Sequence, residues 1–79
     1  MLYRVALGIV LKDLRIKQGW TLRELSTKAL MSLGYLSEIE RGVKEVSSDL
    51  MFGLCEALDS NVPDVLDQVS TLMRERVTV

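Results

Sequence analysis

Apolar residues recur at spacings of three and four along almost the whole chain, and alternating strand-like runs are absent. That period predicts helices throughout. Helix 1 is predicted over Tyr3 to Gln18, with Leu7, Val10, Leu11 and Leu14 on one face and Gly19 as its left-handed stop. Thr21 supplies the next N-cap, and Glu24 completes a Thr-x-x-Glu capping box, with Trp20 placed to staple onto Leu25. This second helix runs to about Ala29. Ser32 caps a third helix, with Met31 and Leu36 as its staple, and Gly42 stops it after Arg41. Residues 43–47 form a loop. Ser47 or Ser48 caps a fourth helix that runs to Leu58, with Asp49 in its positive first turn. Asn61 caps a fifth, and Pro63 falls in its first turn, where a missing N–H costs little.

Only Leu30 and Met31 separate the second helix from the cap of the third, so the two must cross steeply. Two short capped helices across residues 21–41 suit a helix-turn-helix, in which one helix braces on the DNA backbone and the next enters the major groove. The turn position that usually holds glycine carries Leu30, which must accept a strained backbone or a different turn.

In the last helix the apolar stripe continues through Val62, Val65, Leu66, Val69, Leu72, Met73 and Val77. From Val69 onward little monomer remains to be covered, so a partner surface is expected. A second copy is the expected partner, giving a homodimer through Val65, Val69, Leu72, Met73 and Val77. The alternative is a segment that folds back on its own core. The chain thus reads as one DNA-binding domain over 1–79, with the helix-turn-helix at 21–41 and a C-terminal dimerisation helix at 61–77.

Charge sharpens this picture. The net charge is −1, but residues 1–44 carry eight Lys/Arg against four Asp/Glu, and residues 45–79 carry two against seven. The basic half is the half that holds the helix-turn-helix, which matters more for a nucleic-acid partner than the total. The length, 79 residues, allows a single modest core, and a chain of this size buries only about 60% of its unfolded surface. Cys55 is the only cysteine and there is no histidine. No internal disulfide or zinc site can form, and a reducing, cytoplasmic location is expected. The apolar run from Val5 to Leu11 is too short to cross a membrane. Without a glycine-rich phosphate loop, a metal-ligand cluster or a base for Cys55 or the serines, no enzyme, cofactor or small-molecule ligand is expected.

DNA recognition needs contacts that position and contacts that read. For the backbone the candidates are Thr21, Arg23, Lys28, Ser32, Tyr35, Arg41 and Lys44, all cations or hydroxyl donors around the two helices. For base edges they are Leu33, Gly34, Ser37 and Glu38, on the side of the third helix opposite Leu36 and Ile39. Leu33 suits a thymine methyl and Glu38 a cytosine amine; no Gln, Asn or Arg offers bidentate readout. Much of the specificity is therefore expected from DNA shape and dimer spacing. Trp20 reads as a staple, Cys55 as a buried thiol, Lys12 and Lys17 as solvated charges, with Arg4 left open as a contact at a DNA edge.

The residues Gly8, Leu11, Leu14 and Arg15, then Leu25, Ser26 and Ala29, then the run SLGYLSEIERG resemble the Cro/C1-type (XRE-like) helix-turn-helix regulators. Ser47, Leu54, Ala57, Leu58 and Leu66 fall where that family keeps the core of its last two helices. The resemblance implies an all-α, five-helix Cro/C1 repressor-like domain, here with an extended C-terminal helix, and an Arg15–Glu40 ion pair between helices 1 and 3. More narrowly, TLRELS with SLGYLSEIERGxKEVSSDL resembles the actinobacterial regulators of Clp protease genes. It implies a dimeric activator of protease and stress genes on double-stranded DNA. The acidic residues Glu45, Asp49 and Glu56 offer a patch for RNA polymerase. The alternatives are a phage-type repressor, a restriction-modification controller, or an antitoxin-like interaction module.

Overall fold

Four of the five helix starts are fixed by a side chain that satisfies an orphan N–H, and each falls where the cap residues lie in the sequence. The computed structural model describes residues 1–77. It contains α1 (Tyr3–Lys17), α2 (Leu22–Lys28), α3 (Leu33–Glu40), α4 (Ser48–Ala57) and α5 (Val62–Val77), with no strand among the described residues. Ahead of α2, Thr21 Oγ1 accepts the Glu24 N–H at 3.1 Å while Glu24 Oε1 accepts the Thr21 N–H at 2.8 Å. Ser32 caps α3 through the Tyr35 N–H at 3.1 Å, and Ser47 rather than Ser48 caps α4 through the Leu50 N–H at 3.3 Å. Asn61 caps α5 by accepting the Asp64 N–H at 2.8 Å. Only α1 begins without a side-chain cap, at Leu2.

The first four helices stop in one way. Gly19, Leu30, Gly42 and Asp59 have φ of 77°, 55°, 76° and 57°. The N–H that follows each reaches back to close the last turn, from Trp20 to Arg15, Met31 to Ser26, Val43 to Glu38 and Ser60 to Cys55. This is the Schellman stop, which glycine enters freely and other residues at a cost. Asp59 tolerates the left-handed region better than most. Leu30 has no such excuse: its side chain is 91% exposed and buries nothing.

The core forms where α1 lies across both α3 and α5, with α2 on α3 and α4 on α5. Leu11, Leu25, Leu36, Ile39, Leu54 and Leu58 are closed from water. Each such side chain contributes about 1.5–3 kcal/mol relative to exposure.

Two expectations about α5 are corrected. Val65 and Val69, assigned from the sequence to a dimer interface, are 0% and 2% exposed inside the monomer. Leu72 and Met73 are half-buried against the same core. The cause is α1, whose 15 residues run far enough along α5 to cover its middle turns. The side chain of Val77 lies outside the described residues. Leu66, assigned to the core, is 41% exposed, because one step along a helix from Val65 turns it about 100° away. Cys55 is buried, and burial pushes its thiol pKa up, away from reactivity.

Two outcomes are expected. Leu30→Gly removes the left-handed strain and raises stability by about 0.5–1 kcal/mol, net of glycine's unfolded-state entropy; an unchanged or lower melting temperature contradicts this. The Thr21 N–H and hydroxyl hold Glu24 below the usual carboxylate pKa. Its contribution is therefore complete above the unfolded pKa of about 4.3 and fades as pH falls through the lower folded value. Glu24→Gln should lose that part of the acid dependence of melting, and an identical pH profile contradicts it.

Candidate nucleic-acid interface

The pose of α3 is set by α1. A Cβ placed on Gly8 would stand 2.6 Å from the carbonyl oxygens of both Ile39 and Glu40, so the two helices cross with backbone against backbone. At the end of α3 a Cβ on Gly42 would lie 2.8 Å from Val5 Cα, extending the same contact. Two turns along α1 from Gly8, Arg15 closes a bidentate pair with Glu40, Nε to Oε2 at 2.8 Å and Nη2 to Oε1 at 3.0 Å. Its remaining terminal nitrogen donates to the Trp20 carbonyl at 2.9 Å. Both side chains are largely out of water, and the bonds to Glu40 raise the Arg15 pKa, so the guanidinium stays charged. The ion pair implied by the resemblance is present, and it ties α1, α3 and the cap of α2 together.

With Leu36 and Ile39 locked inward, the opposite side of α3 presents Leu33, Gly34, Ser37 and Glu38. Gly34 is exposed, with nothing within 4 Å of a Cβ built there. Thr21 and Ser32 are exposed cap residues whose oxygens accept an N–H. Each hydroxyl still has a proton to donate outward. Arg23, Arg41 and Lys44 are exposed.

Two of the expected backbone contacts are engaged internally. The Lys28 ammonium sits 4.5 Å from the centroid of the Trp20 ring, a cation–π contact that leaves its other donors outward. Tyr35 donates its hydroxyl proton to the Glu45 carbonyl at 2.7 Å, so that proton holds the α3–α4 loop.

Sequence reasoning overlooked two features. Arg4 Nε donates to the Gly42 carbonyl at 3.1 Å, a contact between residues 38 positions apart that no local pattern signals. On α4 Phe52 is 59% exposed beside Val62 and Pro63, lining a cleft of about 380 Å³ with Cys55 at its wall. Leu66 follows one turn after Val62. The signal was available in Phe52, a large aromatic on a short helix otherwise closed by Met51, Leu54 and Cys55.

Among the described residues no group of three His, Cys, Asp or Glu could hold a metal ion, and no helix is long and apolar enough to cross a membrane.

A short capped helix aimed outward by a rigid brace, with cations and hydroxyls at its rim, is the architecture of a DNA-binding helix-turn-helix. The chain belongs to the helix-turn-helix family, of the Cro/C1 (XRE) type, matching it over residues 11–65. It is 54% identical over 65 residues to the transcriptional regulator ClgR of Mycobacterium tuberculosis, a match covering 82% of this chain and 58% of that protein. The chain therefore spans little more than half the length of the curated relatives it matches. The crystal structure of the clp gene regulator ClgR from Corynebacterium glutamicum superposes with a TM-score of 0.94 at 47% identity, covering 98% of this chain and 82% of that one. The restriction-modification controller protein C.AhdI from Aeromonas hydrophila gives 0.76 at 27% identity, over 78% of this chain and 94% of that one.

The brace is directly testable. Gly8→Ala forces a methyl against two backbone carbonyls that cannot yield, and is expected to cost about 1–3 kcal/mol. Glu40→Ala leaves the Arg15 guanidinium without its bidentate partner, at a cost of about 1.5–3 kcal/mol. Wild-type denaturation midpoints for both variants would overturn the assigned clamp.

Proposed function

We propose that this chain is a sequence-specific, DNA-binding transcriptional regulator that acts as a homodimer in the cytoplasm and activates Clp protease and stress genes. The observation that carries the reading is the outward face of α3, clamped from behind by Gly8 and Arg15 and rimmed by basic residues and cap hydroxyls. The likeness to ClgR supports the choice of target genes. The whole of 1–79 serves as one DNA-binding unit, with 21–41 as its helix-turn-helix.

In this reading Leu33, Gly34, Ser37 and Glu38 meet base edges, with Gly34 allowing the helix to sit deep in the groove. Thr21, Arg23, Lys28, Ser32, Arg41 and Lys44 meet the phosphates. Tyr35 holds the loop that carries Lys44, and a phosphate contact from its hydroxyl requires the proton to leave Glu45. Glu45, Asp49 and Glu56 remain the candidate contact for RNA polymerase.

The dimer surface moves from Val65 and Val69, which the monomer buries, to the exposed Phe52, Pro63 and Leu66 with the half-buried Val62 beside them, and the half-buried Leu72 and Met73 stay candidates for the interface. Phe52 and Leu66 are large apolar groups of α4 and α5 that the monomer leaves wet, and Pro63 is exposed at the cleft that Phe52 lines. A two-fold dimer that reads DNA has to set its two α3 helices about 34 Å apart, one turn of DNA, and so demands a near-palindromic operator.

A duplex from the upstream region of a Clp protease gene should bind at least about 10³-fold more tightly than an unrelated duplex of equal length. Leu33→Ala and Ser37→Ala should weaken the first binding more than the second. Equal affinity for both duplexes overturns the sequence-reading assignment. Phe52→Asp or Leu66→Asp should give a folded monomer by sedimentation, and a variant that still sediments as a dimer refutes the patch.

A further inference from the structure

The loop between α3 and α4 is held from two sides. From α3, Tyr35 bonds the carbonyl of Glu45. From α1, Arg4 Nε bonds the carbonyl of Gly42 at 3.1 Å, and Arg4 Nη1 lies 3.9 Å from Glu45 Oε1. The Nε bond decides how the guanidinium is turned. Nε faces the end of α3, and the two terminal nitrogens, with four of the five N–H donors, face the Glu45 carboxylate and solvent.

The contact with Glu45 is weak. A separation of 3.9 Å is too long for a hydrogen bond, and the Glu45 side chain is 84% exposed. Such a pair contributes little in water. Glu45 is an anion resting beside a planar donor edge that a phosphate would fill better, since two parallel N–H bonds to a phosphate are shorter and stronger than one loose ion pair.

The position makes a phosphate the fitting occupant. Leu33, Ser37 and Arg41 recur at intervals of four, so Arg41 carries the outward face of α3 to its C-terminal end. Lys44 follows the turn, and Gly42, which holds Arg4, lies between these two cations in the chain. Residues 4, 41 and 44 therefore bring three positive charges to one end of α3.

We infer that Arg4 is a DNA-backbone contact whose terminal nitrogens rest on Glu45 in the free protein and exchange it for a phosphate on DNA, while Nε keeps its hold on Gly42. The inference rests on the DNA-binding reading above. A residue that only pins the loop needs the Gly42 bond and no more. A phosphate contact also adds one to the number of counterions released, and that difference can be measured.

The full chain and its Arg4→Ala, Arg4→Lys and Glu45→Gln variants are titrated onto a labelled duplex by anisotropy, over about 50–200 mM salt. Melting curves are recorded alongside. Arg4→Ala should make the slope of log affinity against log salt shallower by about 0.9 per protomer bound, and should weaken all sequences alike. Arg4→Lys should keep the wild-type slope, and Glu45→Gln should bind several-fold more tightly because the competing carboxylate is gone. If Arg4→Ala retains the wild-type slope while its affinity or melting point falls, Arg4 is a loop pin and the inference is overturned. A wild-type protein whose affinity ignores salt overturns the DNA-binding reading itself, and this inference with it.

Discussion

The contact between α1 and α3 at Gly8 is the constraint from which the rest of the structure follows. Backbone meets backbone there, with room for a hydrogen and not for a methyl, so the crossing cannot be adjusted by repacking a flexible side chain. Arg15 and Glu40 add direction to closeness, because a bidentate pair accepts one relative orientation of its two helices. A buried ion pair is a poor source of net stability once desolvation is counted. Its use here is geometric: it aims α3 and, through the Trp20 carbonyl, the start of α2. A helix as short as α3 has little intrinsic stability. It holds its pose because α1 holds it.

The same helix accounts for the arrangement of α5. By lying along α5, α1 takes Val65 and Val69 into the monomer core and leaves Leu66 on the outside. The exposed cations around α2 and α3 and the exposed Phe52 and Leu66 lie on different helices. Cys55 lies at the wall of the apolar cleft with its thiol pKa raised by burial, which suits packing rather than chemistry.

What was legible in the sequence was what depends on neighbours in the chain. Caps at Thr21, Ser32 and Asn61 are satisfied three residues away, and their partners could be read directly. Gly19 and Gly42 announced their stops for the same reason. Asp59 did not, because aspartate enters the left-handed region without the compositional signal that glycine gives. The side of α5 that is buried was misjudged because the apolar stripe is wide enough to pack in either of two rotations, and only the position of α1 chooses between them. The site followed the same rule. The outward set on α3 followed from helical spacing, whereas the Tyr35–Glu45 bond and the Arg4–Gly42 bond arise from the tertiary fold.

The most direct test of a braced reading helix, duplicated by a two-fold axis, is selection of bound fragments from a pool of random duplex DNA, followed by sequencing. The account predicts enrichment of a single near-palindrome whose half-site centres lie about one helical turn, 10–10.5 base pairs, apart. Enrichment of an unpaired half-site, or none from a folded protein, would contradict it.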